Sequence, residues 1–142
     1  MTLQYENLEH MADLKIRSFG KTKEEVFVNM AKGMYDNICN EAEKLKDQAV
    51  EVELRAKDID LPSLLVDFLN QLVYLTDVNN EVYEDYDLAI IEKSNKEWLL
   101  EGVAKGFKIS SLELEIKAVT YNELKIEEDE KGNWLAEVVF DI

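Results

Sequence analysis

The chain predicts an α+β fold: two helices packed on largely antiparallel β-sheets, in one domain spanning residues 1–142. Three observations carry that expectation. Two stretches, one opening at Thr22 and one near Asp60, place apolar residues at helical spacing behind recognisable start signals. Most of the remaining segments alternate apolar and polar residues with the period of two that marks half-buried strands. Short polar turns at Ser94-Asn95 and at Asp129 to Asn133 join neighbouring strands as hairpins, the connection of antiparallel pairs.

Taken in order, Tyr5 to Arg17 holds one or two short strands, and Gly20-Lys21 marks a turn. Thr22 followed by Glu25 forms a capping-box pattern, so a helix starts there. Phe27, Met30, Ala31, Met34 and Ile38 are its buried stripe, with Gly33 inside it at a cost of about 1 kcal/mol relative to alanine. Glu41 to Asp47 reads as a charged connector. Val50, Val52 and Leu54 then alternate with Glu51, Glu53 and Arg55 as a strand with one wet face. The second helix takes Asp60 as N-cap and Pro62 in its first turn, where a missing N–H does no harm. Leu64, Leu65, Phe68, Leu69, Leu72 and Leu75 make it the central core helix, with Asp67 and Asp77 expected on its outer side or at its end. Beyond Asn79-Asn80 comes the hairpin through Tyr86, Leu88, Ile90, Trp98, Leu100 and Phe107. Val119, Leu124 and Ile126 precede the last hairpin, whose turn uses Gly132 for its freedom at positive φ.

With 142 residues, a single domain buries roughly 68–70% of its unfolded-chain surface, enough for a core without staples. The single cysteine, Cys39, cannot form an internal disulfide, and no charged-then-apolar leader opens the chain, so a reducing, cytoplasmic location is the expectation. The longest apolar run, near Leu61 to Leu75, is interrupted by Asp67, Asn70 and Gln71, so no membrane span is expected. A net charge of −15, from 31 acidic against 16 basic residues, argues against a phosphate-contacting surface. Any work on RNA would go through a partner.

An enzyme reading lacks parts. There is no G-x-S-x-G elbow, glycine-rich phosphate loop, C-x-x-C pair or paired histidines. The one possible Cys-His nucleophile pair, Cys39 with His10, sets a helix-end packing cysteine against the only histidine. Two strands suggest something else. Leu14 and Ile16 share one parity, leaving Asp13 on the other. Trp134, Ala136, Val138, Phe140 and Ile142 likewise leave Asp141 on the opposite face, beside the Ile142 carboxylate. If the strands meet at these ends, carboxylate oxygens converge with nothing to neutralise them, a set suited to Ca²⁺ or Mg²⁺ rather than zinc. His10 is either a hydrogen-bonding anchor for the Asp13 loop or a satisfied structural histidine.

The segments YENLEHMADLKIRSFGKTKEEVF, DLPSLLVDFLNQLVYLTD, KAVTYNELKIEED and WLAEVVFDI resemble the archease family over nearly the whole chain. Two positions depart from it: Met11 stands where the family usually has threonine, and Asn122 where it usually has histidine. The resemblance implies an archease-like fold and a non-enzymatic, monomeric activator of the RtcB-type RNA ligase of tRNA splicing, touching RNA only through the ligase. It also implies a divalent-cation site, Ca²⁺ by first choice and Mg²⁺ as the alternative, at Asp13, Asp141 and the Ile142 carboxylate. The competing expectation is a general protein chaperone or a modulator of RNA-modifying enzymes. A third, a hydrolase using paired carboxylates as acid and base, has no pocket motif behind it.

Overall fold

The computed structural model describes residues 3–142. Strand β1 (Tyr5–Leu8) pairs antiparallel with β2 (Leu14–Gly20), which leads into helix α1 (Lys23–Ile38). A 3₁₀ turn at Glu41–Glu43 opens β3 (Lys44–Asp58), followed by helix α2 (Leu61–Asn79) and the hairpin of β4 (Glu81–Glu92) and β5 (Trp98–Ile109). Three short pieces complete the chain: β6 (Ala118–Val119), β7 (Lys125–Glu128) and β8 (Trp134–Asp141). Two antiparallel sheets result. One is ordered β1-β2-β8-β6, with β7 also paired to β8; the other is ordered β3-β5-β4. The expected α+β class is therefore found, with both helices sharing one core with the two sheets.

Local chemistry explains the helices. Thr22 Oγ1 accepts the Glu25 N–H at 3.0 Å, and Asp60 Oδ1 accepts the Ser63 N–H at 2.7 Å, each satisfying an otherwise orphaned donor in the first turn. Pro62 lies in the first turn of α2, and Asn80 ends that helix in the left-handed region at φ 56°. The predicted α1 stripe of Phe27, Met30, Ala31, Met34 and Ile38 is buried, as are Leu64, Leu65, Phe68, Leu69 and Leu72 of α2. Phe27 meets Phe68 with ring centroids 5.7 Å apart, and Tyr35 Oη lies 2.8 Å from Thr76 Oγ1. The helices are thus joined by an aromatic contact and a buried hydroxyl pair. Gly33 has a packing reason: a Cβ there would stand 2.9 Å from the Tyr5 ring, so the glycine lets β1 lie close on α1.

Two expectations are corrected. The charged connector is half strand, since Lys44 and Leu45 already pair with Ile109 and Lys108 before the register shifts ahead of Ala49. Lys44 is held there by Glu41 and Glu84, which compensate its ammonium and let the ladder start early. Asp67 is half-buried rather than on an outer face. In β8 both parities are buried, Glu137 and Val139 on one face and Ala136, Val138 and Phe140 on the other. The reason is its central place, with β2 along one edge and β6 and β7 along the other. No described helix is long and apolar enough to cross a membrane.

Candidate functional site at the end of the β2–β8 ladder

Antiparallel pairing sets Leu14 against Phe140 and runs from there to Gly20 against Trp134. Asp13 precedes that last pair, in the bend that contains Ala12, and Asp141 follows it as the final residue of β8. Asp141 is fixed from the other edge, where it pairs with Ala118 and its carbonyl accepts the Lys117 N–H at 2.8 Å. Its side chain is exposed and Ile142 follows at the surface. The ladder thus brings Asp13, Asp141 and Ile142 to one corner.

His10 organises that corner. Its Nε2 lies 2.5 Å from Glu123 Oε2, on the loop between β6 and β7, and its Nδ1 lies 3.5 Å from Asp13 Oδ2. Glu123 is an acceptor in that pair, so Nε2 carries the hydrogen. Nδ1 is buried and makes no hydrogen bond, which leaves the Asp13 oxygens free for another partner. The hydrogen bond from His10 holds the Glu123 carboxyl below its usual range, with Lys15, 3.5 Å away, adding to the effect. Both flanking loops contain a non-glycine residue in the left-handed region, Ala12 at φ 65° and Glu123 at φ 55°. Such conformations cost of order 1–3 kcal/mol and persist where the surroundings enforce them, often at functional sites.

Behind the corner lies an ion network. Arg17 contacts Glu137 at 2.6 Å and Glu6 at 3.1 Å, while Lys15 Nζ stands 3.5 Å from Glu137. Burial pushes the Glu137 carboxyl up, but Arg17 and Lys15 outweigh it and hold it below the ordinary range. Arg17 is engaged behind the tip, and Lys15 divides its ammonium between Glu137 and Glu123. Among the described residues no lysine or arginine pairs with Asp13, Asp141 or the terminal carboxylate. An all-oxygen, uncompensated set of this kind fits a hard divalent cation. Among the described residues no three His, Cys, Asp or Glu side chains are grouped to hold a metal ion. The tip offers two such side chains and one main-chain carboxylate. Three apolar side chains surround it in the open: Met11, Tyr121 and Ile142 are 91%, 59% and 37% exposed.

Sequence reasoning missed Glu123, Lys15 and Ala12 as parts of this corner. Nothing in the local pattern around Glu123 distinguishes it from other surface acids, because its partner is 113 residues away. Asn122 is exposed, its N–H directed to Thr120 Oγ1 at 3.3 Å, and Thr120 in turn donates to the Val139 carbonyl at 2.8 Å. Cys39 is buried, its thiol is pushed up by burial and donates to the Asn40 carbonyl at 3.2 Å, and the His10 ring meets Glu123 and Asp13, so the nucleophile pairing has no geometric support.

Fold and site together define a single-core α+β protein with a carboxylate corner at a sheet end and no nucleophile–base pair in that corner. Comparison with known proteins makes this specific. The model of the Archease protein family matches residues 5–142. A protein archease of Methanosarcina barkeri is 43% identical over 98% of this chain and 96% of its own length. One from Pyrococcus furiosus is 38% identical over 98% and 99%. The chain belongs to the archease family. Among solved structures, Methanobacterium thermoautotrophicum protein 1598 superposes with a TM-score of 0.81 at 29% identity, covering 97% of this chain and 98% of that one. An archease of Thermotoga maritima, called a possible chaperone, shares the fold with a TM-score of 0.64 at 23% identity, over 95% and 94%.

Proposed function

We propose that this protein is a non-catalytic activator of an RtcB-type RNA ligase, acting through the carboxylate corner. The single observation that carries the reading is the end of the β2–β8 ladder, whose last pair, Leu14 with Phe140, is flanked by Asp13 and by Asp141-Ile142, with no lysine or arginine ion-paired to them among the described residues. Family membership supports it, because archeases are the assistants of that ligase in the resemblance drawn above. Asp13, Asp141 and the Ile142 carboxylate would hold a divalent cation, Ca²⁺ or Mg²⁺, which supplies positive charge and open coordination positions for phosphate oxygens. The chain's own part is positional. Hydrogen bonding through His10 ties the Asp13 loop to the Glu123 loop, and the β6 pairing pins Asp141, so the carboxylates meet a partner already oriented.

In this reading the tip approaches the ligase's metal-containing active site and helps guanylylation of its histidine and repeated turnover. The RNA is contacted by the ligase, a reading supported by the net charge of −15, which disfavours a phosphate-contacting surface on this chain. Surface acidity then acts mainly on encounter rate with a basic partner.

The test is multiple-turnover ligation by the cognate ligase, with and without this protein and with a variant lacking Ile142. Stimulation lost with that one residue ties activity to the corner; equal stimulation by the shortened chain rejects the role given to the terminal carboxylate. A second reading, a general chaperone, is favoured by the exposed Met11, Tyr121 and Ile142 side chains around the tip. Suppression of aggregation across unrelated proteins, unaffected by Asp13→Asn, would select it.

A further inference from the structure

A groove lies at the opposite end of β1 from His10. Helix α1 forms its floor, the start of β1 one wall and β4 the other. Two contiguous cavities, of about 410 Å³ and about 380 Å³, run along it and share Gln4 and Lys32. The second wall is chemically unfinished. Strand β4 is the outer member of its sheet, so every other residue turns its N–H and C=O away from β5. Ile90 reveals the phase, because its N–H points outward and donates to Glu24 Oε2 of α1 at 3.2 Å. Leu88 and Tyr86 follow in the same phase, since the register shift of this strand lies before them, between Tyr83 and Asp85.

Edge strands are commonly blunted by lysine, proline or short length. Strand β4 is 12 residues long and contains no lysine, arginine or proline. It carries Glu81, Glu84, Asp85, Asp87 and Glu92 instead. Lys108 takes Glu81 and Lys44 takes Glu84; Asp85 stands opposite Lys105 in the ladder, but that ammonium meets Glu51 at 3.7 Å, and neither Asp85 nor Asp87, both exposed, forms an ion pair among the described residues. A second copy of this chain is a poor occupant, because it would set the same acids against these two and bring up another net charge of −15.

We propose that this groove binds an extended basic segment of a protein partner, which joins β4 as a fourth strand of its sheet. The added backbone takes up the outward groups of Tyr86 and Leu88. Period two then divides the segment's side chains. One set faces the groove floor over α1, and the other lies across from Asp85 and Asp87, where lysine or arginine makes opposite-charge cross-strand pairs. The segment expected is therefore alternating, basic on one face and small or apolar on the other. Binding is independent of the carboxylate tip.

The probe is the acetylated, amidated peptide Lys-Val-Lys-Val-Lys-Val-Lys, titrated into the full ¹⁵N-labelled chain. Expected are shifts and slowed hydrogen exchange at the Tyr86 and Leu88 amides, with about tenfold weaker binding to an Asp85→Lys/Asp87→Lys double variant. Leu88→Pro removes one outward N–H without touching the β5 ladder and should also abolish binding. Should that variant fail to fold, the double variant, at exposed positions, still decides. Perturbations centred elsewhere, or equal binding of a Lys-Pro repeat of the same charge, overturn the proposal. So does a peptide-free dimer protecting the same amides, which would assign the edge to a second copy.

Discussion

Two pairs of aspartates sit at element ends in this molecule, and they deal with mutual repulsion differently. Where β3 gives way to α2, Asp58 and Asp67 hydrogen-bond to each other. Burial, then Asp58, lifts Asp67 to about 6, while the bond from Asp67 and the Ile59 N–H hold Asp58 below its usual range. Below the Asp67 value one proton shared between the two acids relieves their repulsion internally. At the tip, Asp13 and Asp141 each lie one residue beyond the last β2–β8 pair, and the Asp13 carboxylate has an imidazole nitrogen at 3.5 Å. Closeness of carboxylates is therefore not what distinguishes a site. What distinguishes this one is that compensation is left to come from outside, in a corner framed by the left-handed Ala12 and Glu123.

That contrast can be broken by experiment. Asp13→Asn or Asp141→Asn should lower ligase stimulation by on the order of 100-fold or more, while changing stability by no more than about 0.5 kcal/mol. Ligation assays and urea unfolding read both, and an equal loss of stimulation in Asp67→Asn would erase the distinction between the pairs. Glu123→Gln keeps the size of the His10 partner and removes its charge. Stimulation should fall by about tenfold with the unfolding midpoint unmoved, and an unchanged stimulation would strip Glu123 of its positioning role.

The smallest effect belongs to the other pair. Asp67 binds its proton more tightly folded than unfolded, so its contribution to stability is fully present below the unfolded value near 4 and is lost as pH rises toward about 6. Asp58, shifted the other way, contributes above the unfolded value and loses that contribution as pH falls through its lowered folded value. Asp67→Asn, which keeps a donor toward Asp58, should raise stability at pH 7 by about 1 kcal/mol after allowance for partial exposure. At pH 4 the gain should vanish. Urea unfolding at the two pH values measures it, and a gain of equal size at both would mean that the proton is not shared.

Much of the fold was legible because its signals are local. Thr22, Asp60, Pro62 and Gly132 each announce a boundary by chemistry acting within a few residues, and the stripes of α1 and α2 follow from spacing alone. The burial of Glu137 and Val139 in β8 was not legible, because the strand is flanked by β2 from one end of the chain and β7 from the other. The start of β3 was missed for a similar reason, since Lys44 is satisfied by Glu84, 40 positions away. At the candidate site the parities of Asp13 and Asp141 could be read, and the pairing of their strands is what the structure adds. His10 was visible as a lone imidazole with its role open. Glu123, which decides that role, was not, because the contact is long-range and the residue one of 31 acids.

The β2–β8 pairing also bears on how the chain reaches its native state. Leu14 and Phe140 are separated by 126 positions, 140 minus 14, and closing so long a loop costs entropy that neighbouring contacts cannot repay in advance. Helix α1 and the β4–β5 hairpin can form from nearby residues. The ladder whose last pair is flanked by Asp13 and Asp141 needs strands far apart in sequence at once, so that corner forms only after the long loop has closed.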